Sequence, residues 1–190
     1  DHTIRLIAGA RRSTRGRLEI FVRPMMIPRS AALAAVSGSI NGILLVGNKA
    51  GHTLVTGRGA GGEPTGVAVV SDVVQTARAI LSGGLRESLG YSAWRRGKVL
   101  PPGQNVTSSY LRLVVHDQPG ILAKVCTVLA QHKINIDSVL QEPAHPKKQL
   151  PFVMTLEPTE EKNIRHAVSR IARLPFLARP PLLMPFAESF

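Results

Sequence analysis

The chain has 190 residues and a net charge of +12, and its length allows one ordinary domain or two small ones. A hydrophobic fraction of 44% is enough for packed cores, and a single cysteine excludes an internal disulfide framework. Aromatic residues form only 4% of the chain, too few for the stacking platforms of a nucleic-acid surface, so the positive charge is expected in solvated loops. No apolar run is long enough to cross a bilayer and no secretory signal opens the sequence, so we expect a cytoplasmic protein without a membrane or nucleic-acid partner.

The first part of the chain is predicted to form a mostly antiparallel sheet. Residues 3–10 read as a strand, and residues 17–23 alternate apolar with charged side chains, which is the period of a half-buried strand. The apolar faces are Ile4, Leu6 and Ala8 in the first strand and Leu18, Ile20 and Val22 in the second. Residues 40–46 and 52–56 flank a glycine-bounded turn and form a predicted hairpin. This sheet leads the chain into a glycine-rich segment.

The glycine-rich segment is Gly57-Arg58-Gly59-Ala60-Gly61-Gly62-Glu63-Pro64-Thr65-Gly66. Glycines let the backbone approach a ligand closely, a helix N-terminus favours negative charge, and the Pro-Thr pair suits the start of a helix. A helix is predicted over residues 67–81, and its apolar stripe consists of Val67, Val70, Val74, Ala77 and Leu81. Two interpretations stay open at this point: a turn that only joins strand to helix, or a turn that contacts a bound ligand.

The second part of the chain has the strand-helix-strand-strand-helix-strand order of a split βαβ unit. The predicted elements are strands at 110–115, 134–141, 151–156 and 177–186, with helices at 121–131 and from Thr159 onward. Three prolines are expected to confine the last strand to a sheet edge, because proline cannot donate to a ladder. Pro101-Pro102-Gly103 marks a linker, so we divide the chain into 1–84, 85–107 and 108–190.

Two stretches of this sequence resemble known families. Residues 108–177 resemble an ACT domain, and the resemblance is carried by Leu111-Arg112-Leu113, Asp117-Gln118-Pro119-Gly120-Ile121-Leu122 and Ile134-Asn135-Ile136. Residues 3–81 resemble the C-terminal part of the catalytic region of homoserine dehydrogenase, above all in Gly57-Arg58-Gly59-Ala60-Gly61 with Pro64-Thr65 and Val69-Val70-Ser71-Asp72. The implied fold is α+β: a mostly antiparallel sheet with a returning helix, followed by a βαββαβ ferredoxin-like ACT domain.

The dehydrogenase resemblance implies interconversion of L-homoserine and L-aspartate 4-semialdehyde with NAD or NADP. It makes Gly59, Gly61 and Thr65 the candidate cofactor contacts, because the glycine turn of that family lies beside the nicotinamide. The family's Rossmann unit, its acid–base lysine and the aspartate partner, and its bound monovalent cation belong to an earlier part of the enzyme. No catalytic residue or metal ligand is therefore assigned in this chain, and hydride transfer by the chain alone is not expected. Residues 29–33 stand where the family tends to have a histidine-proline pair, which leaves the detail of that loop open.

The ACT resemblance implies a site for an amino-acid effector, with threonine expected. The candidate residues are Asp117, Gly120, Ile121 and Leu122, which would face Asn135 and Ile136 of a neighbouring copy in a homo-oligomer. Backbone amides suit the carboxylate of the effector, and an acidic or amide side chain suits its ammonium group. Many modules of this shape only dimerise, so a plain strand-to-helix turn is the alternative. The competing function is a stand-alone amino-acid-binding module without catalysis, and a basic nucleic-acid binder is a third.

Overall fold

The computed structural model describes residues 1–13, 16–83, 97–141 and 146–187. The strands in these ranges are β1 (His2–Arg12), β2 (Leu18–Pro28), β3 (Ile40–Gly47), β4 (Gly51–Arg58), β5 (Val106–Val115), β6 (Ile136–Gln141), β7 (Leu150–Glu160) and β8 (Leu177–Phe186). The α-helices are α1 (Gly62–Leu81), α2 (Ile121–Gln131) and α3 (Glu161–Ile171), and short 3-10 turns occupy Ala32–Ala35 and Lys147–Gln149. The architecture is α+β, which confirms the predicted fold class.

The chain folds into two compact units. The first joins residues 1–28 to residues 98–189, and the second holds residues 29–97. These units are defined by contacts in space. The predicted domain division at 84/85 and 107/108 is based on sequence alone and stays a prediction. Part of the predicted linker, residues 85–96, lies outside the described residues, and the last two linker residues open β5.

The first unit contains a six-stranded sheet in the order β1-β2-β8-β5-β7-β6. The strands β5 to β8 with α2 and α3 make the predicted βαββαβ module, in which β5 pairs antiparallel with both β7 and β8. The strands β1 and β2 form an antiparallel ribbon that is paired over its whole length. This ribbon joins the module in parallel at Met26 and Phe186, and the Ala187 amide donates to the Met26 carbonyl at 3.0 Å. The ribbon and the module therefore share one sheet, and the ribbon is separate from the β3–β4 hairpin.

The core of this unit lies between the sheet and the helices α2 and α3. Buried residues alternate along β5 and recur three or four positions apart along the two helices, as the period of each element requires. The predicted bounds of α2 are confirmed, and Cys126 of this helix packs against the core. The largest buried side chains of the module are Leu111, Leu113, Val115, Val125, Leu129, Met154, Leu156, Ile164, Ile171 and Phe176.

The helix α2 ends in a Schellman motif whose left-handed residue is a lysine. The Ile134 amide donates to the Leu129 carbonyl at 3.1 Å, and the Lys133 amide donates to the Ala130 carbonyl at 2.9 Å. Lys133 has a φ of +58°, a conformation that favours glycine, and no other non-glycine residue of the described ranges has a positive φ. Ile134 and Leu129 are both buried, which supplies the apolar contact that accompanies this motif.

The β1–β2 ribbon buries the face that carries its acidic residue, which is the reverse of the predicted burial. Glu19 is only 3% exposed, whereas Ile20 and Val22 are 50% and 69% exposed. Met25 and Ile27 lie on the same face as Glu19 and are buried. The apolar residues that the ribbon exposes are Ile4, Leu6, Ile20 and Val22. The reason is tertiary: β2 joins the module on the side where α3 lies, and the face that meets α3 is the one with Glu19.

Charged residues form ion pairs on the buried face of the ribbon. Glu19 accepts two hydrogen bonds from Arg11, of 2.7 and 3.1 Å. Arg23 lies 3.9 Å from Glu161 at the start of α3, and Glu161 also accepts a 2.6 Å bond from Arg165. Burial lowers the pKa of the Arg23 guanidinium, and the carboxylates of Glu161 and Glu19 act in the opposite direction. These pairs compensate the charges on the face that packs against the module.

Two further features differ from the expectations drawn from the sequence. The strand β8 lies between β2 and β5, not at an edge of the sheet. It pairs with β2 only at its last residue, Phe186. The adjacent Pro180 and Pro181 therefore have no neighbouring strand on the β2 side, where a backbone donor would be needed. The helix α3 begins at Glu161 with Glu160 as its N-cap, and Thr159 still belongs to β7 because that strand pairs with β5 out to Glu160.

The second unit contains the two-stranded sheet and α1. The strands β3 and β4 form the predicted hairpin and pair over their whole length. The predicted helix is confirmed and begins earlier, at Gly62. Ala79 is the one buried residue of α1, and the predicted apolar stripe of this helix is exposed. A helix with valines on several faces is typical of a segment that packs on more than one side.

Candidate functional site

A concavity of about 170 Å³ lies at the N-terminal end of α2. It is formed by the end of β5, the turn into α2, and the facing parts of β6 and β7. The lining residues are Val115, Asp117, Gln118, Gly120, Ile121, Leu122, Val139, Gln141, Leu150 and Phe152. The structure therefore brings together four of the six predicted effector residues: Asp117, Gly120, Ile121 and Leu122.

The turn into α2 depends on Gly120. This residue has a φ of +86°, and an added Cβ would meet no atom within 4 Å, so glycine is required for backbone conformation rather than for space. Gly120 is also the N-cap of α2 and offers no side-chain cap. The first amides of the helix, at Ile121 and Leu122, thus have no intrahelical acceptor. These amides and the positive end of the helix dipole favour a carboxylate at this position.

The same concavity contains an acidic group and an apolar wall. Asp117 is exposed, and its carboxylate can accept hydrogen bonds from an ammonium group. Val115 and Phe152 are buried and form the apolar side. An α-amino acid carries a carboxylate, an ammonium group and a side chain, and the lining offers a complementary group for each.

The two remaining predicted residues do not line this concavity. The Asn135 side chain donates to the Glu157 carboxylate at 3.1 Å, and Ile136 packs against the core. Val139 and Gln141 of β6 face the concavity instead. A register shift at the start of β6 puts Val139 and Gln141, and not Ser138 and Leu140, on the face toward the helices, whereas the predicted place of Asn135 and Ile136 opposite a neighbouring copy stays a prediction. No local signal in the sequence marks such a shift, so Val139 and Gln141 were missed.

The glycine turn leads from β4 into α1 in the second unit. The Gly59 amide donates to the Ser39 carbonyl at 2.9 Å, and a Cβ at Gly59 would clash with the side-chain amide of Asn41. Gly61 has a φ of +124° and is the N-cap of α1. Both glycines therefore have a local structural reason to be glycine, independent of any ligand.

Thr65 lies in the exposed first turn of α1. Its amide makes an early bond of the helix, to the Gly61 carbonyl at 3.1 Å, and its side chain is exposed. The amides of Gly62 and Glu63 have no intrahelical acceptor, and a Cβ added at Gly62 would meet no atom within 4 Å. The turn thus offers two amide donors and one hydroxyl, which fit one polar group of a dinucleotide. Binding of a pyrophosphate requires more backbone donors, which a glycine fingerprint between a strand and a helix supplies in dinucleotide-binding domains.

Two other kinds of feature are absent from the described ranges. None of the helices there is long and apolar enough to span a bilayer. In the same ranges no group of three His, Cys, Asp or Glu side chains is placed to hold a metal ion.

The βαββαβ module with its small concavity defines the class of this protein: it carries an ACT-type module. The family model for the ACT domain matches residues 109–176, and the family model for homoserine dehydrogenase matches residues 1–74. The chain therefore contains a segment of the homoserine dehydrogenase family over residues 1–74 and an ACT domain over residues 109–176.

Individual relatives agree with the family models. The chain is 31% identical to the homoserine dehydrogenase of Helicobacter pylori over 88% of this chain and 39% of the relative. It is 32% identical to that of Pseudomonas aeruginosa over 90% of this chain and 41% of the relative. The crystal structure of the Thiobacillus denitrificans homoserine dehydrogenase matches with a TM-score of 0.82 and 30% identity, over 98% of this chain and 43% of that protein. The chain thus spans about two fifths of the length of these relatives and corresponds to their C-terminal part.

Proposed function

We propose that the chain is the C-terminal portion of a cytoplasmic homoserine dehydrogenase. This oxidoreductase would interconvert L-homoserine and L-aspartate 4-semialdehyde with NAD or NADP, in the biosynthesis of threonine, methionine and isoleucine. The observation that carries the proposal is the order of two matched segments in one chain, homoserine dehydrogenase over 1–74 and ACT domain over 109–176. Because the chain spans about two fifths of its relatives, we expect the other active-site groups from a preceding part of the enzyme and no hydride transfer by this chain alone.

The chain's share of the dehydrogenase site is the glycine turn, with Gly59, Gly61 and Thr65 as the proposed cofactor contacts. A bound nicotinamide supplies the hydride chemistry. The Thr65 hydroxyl and the free amides at the tip of α1 orient a polar group of the cofactor, and the two glycines keep the turn in the shape that presents them. The exposure of this tip supports the assignment, since a buried tip would have no room for a ligand.

The ACT module is the proposed sensor for threonine feedback. The amides of Ile121 and Leu122 receive the carboxylate of the effector, Asp117 receives its ammonium group, and the apolar wall receives its side chain. Asn135 and Ile136 lie at the start of β6, the edge strand of the sheet. From that edge they would face the concavity of a neighbouring copy in a homo-oligomer.

A calorimetric titration of the 190-residue chain with threonine, methionine and isoleucine tests the effector site. Threonine is expected to give saturable heat, and Asp117→Asn is expected to weaken its binding about tenfold, because a charge-assisted hydrogen bond to the ammonium group is lost. Asp137→Asn is the matched control, since Asp137 accepts a 2.7 Å bond from Thr155 and does not line the concavity. Absence of heat with all three amino acids, or an equal loss in both variants, would count against the site.

The competing proposal is a stand-alone amino-acid-binding module without a catalytic partner. All residues of the concavity lie in the first unit, which is compact by itself, and this favours a module that binds without the rest of an enzyme. The genomic sequence upstream separates the two proposals. A reading frame that continues back into a strand, a glycine fingerprint and a helix supports the dehydrogenase, whereas a start codon directly before Asp1 supports the module.

A further inference from the structure

A second concavity, of about 200 Å³, lies on the opposite face of the module from α2 and α3. Its lining residues are Arg112, Val114, Gln149, Pro151 and Arg179. Leu150 and Phe152, which alternate with Pro151 along the chain, line the concavity at α2. Because successive side chains of a strand point to opposite faces, the two concavities lie on opposite sides of the same strands. The second concavity is therefore separate from the proposed effector site.

Arg179 reaches the open face of the sheet through two irregularities in the pairing of β5 with β8. Over the span from Arg112 to Val115, β8 carries two more residues than β5. Regular alternation would put Arg179 on the same face as Leu177, which packs against the core. The shift pairs Arg179 with Val114 instead and turns its side chain to the open face. The backbone irregularity thus places two arginines on one side of the sheet.

The two guanidinium groups of this concavity have no acidic partner among the described residues. Arg179 donates to the side-chain oxygen of Gln149 at 3.1 Å, and this neutral acceptor holds the guanidinium without neutralising it. Arg112 is exposed and forms no ion pair within the described ranges. Other arginines of the same unit are compensated, for example Arg11 by Glu19 at 2.7 Å. The open face therefore carries two guanidinium groups whose charges are not neutralised by any residue that the structure describes.

We propose that this concavity binds the oxyanion group of a small ligand, either a phosphoryl group or a carboxylate. Arginine donates two parallel hydrogen bonds to such groups, and two arginines can clamp one group from both sides. Val114 and Pro151 give an apolar floor for the adjoining carbon atoms. The net charge of +12 favours the approach of anions. A volume of about 200 Å³ is below the roughly 300–1,000 Å³ of pockets for drug-sized ligands, so the ligand is small.

An NMR titration of the ¹⁵N-labelled 190-residue chain tests this site. The chain is titrated at constant ionic strength with sodium phosphate, sodium pyrophosphate and sodium succinate in turn. We expect saturable shifts of the Val114 and Gln149 amides with at least one of the three anions. A response to phosphate and pyrophosphate alone identifies a phosphoryl group as the ligand chemistry, and a response to succinate alone identifies a carboxylate. Absence of saturable shifts at these amides with all three anions would overturn the proposal.

A matched pair of substitutions distinguishes specific anion binding in this concavity from attraction of anions by the net positive charge of the chain. Gln149→Glu places a carboxylate on Arg179 and is expected to weaken anion binding about tenfold or more, because the new internal ion pair competes with the ligand. Gln131→Glu is the control, since Gln131 accepts an equivalent 2.8 Å bond from Arg170 outside the concavity. Equal weakening in both variants would refute the site. Arg112→Gln, at an exposed position, is expected to reproduce the loss while leaving the circular dichroism spectrum unchanged.

Discussion

Replacing Lys133 by glycine is expected to stabilise the protein, although it removes a side chain. Lys133 holds a left-handed conformation at the end of α2, with φ +58°. A residue with a Cβ pays about 1–2 kcal/mol for this conformation, whereas glycine adopts it freely. Glycine also makes the unfolded chain more flexible, which offsets about 0.4–1 kcal/mol of the gain. The net increase in the free energy of unfolding is therefore about 0–1.6 kcal/mol, with a midpoint of about 0.8 kcal/mol, since the Schellman hydrogen bonds use only backbone atoms.

Urea denaturation of Lys133→Gly and Lys133→Ala measures this difference. The alanine variant loses the same charge and aliphatic stem but keeps the Cβ, so the two variants differ only in the backbone term. We expect the glycine variant to have the higher denaturation midpoint and slower hydrogen exchange at the Ile134 amide, which closes the motif on Leu129. Equal midpoints, or a higher midpoint for alanine, would refute the assignment of strain to Lys133.

Three other substitutions probe the core, the ribbon and the glycine turn. Leu111→Ala, at a fully buried position of β5, is expected to lower the free energy of unfolding by about 3 kcal/mol in urea. Glu19→Ala is expected to cost about 1.5–3 kcal/mol in the same assay, because it removes a buried acceptor of two bonds from Arg11. Gly61→Ala, at a φ of +124°, is expected to speed amide exchange in the first turn of α1 through backbone strain, whereas Gly57→Ala, where an added Cβ meets no atom within 4 Å, is not. A Leu111→Ala cost below about 1 kcal/mol, a Glu19→Ala cost near zero, or equal effects of the two glycine changes would contradict the packing described.

The sequence predicts most of the elements whose cause is local. The period of apolar residues sets α2 at Ile121–Gln131, and the glycines at either end of the β3–β4 turn set the hairpin. The order of strands and helices after residue 105 is likewise read from alternating periods, and it yields the βαββαβ module. The turn and the helix start of the candidate effector loop are also local, because the left-handed Gly120 and the first helical residue are consecutive in sequence, whereas the effector role itself was predicted from the ACT resemblance.

The features that the sequence does not predict depend on partners that are distant along the chain. The burial of Glu19 rather than Ile20 requires knowledge that β2 joins the side of the module where α3 lies. The presence of Val139 and Gln141 in the effector concavity, and the placing of Arg179 on the open face, both follow from shifts in strand pairing. A single displaced residue in a strand exchanges its two faces, and alternation in the sequence cannot show where this occurs.

The single junction at Met26 and Phe186 has a consequence for how the ACT module can be separated from the rest of the chain. A protein cut at residue 108 loses the ribbon and leaves the backbone at the end of β8 without its neighbour. Such a bare margin can recruit a strand from another molecule. An ACT module excised at its family boundary therefore exposes the end of β8 at Phe186 and is expected to self-associate more readily than the longer chain, in which the ribbon covers only that end of the strand.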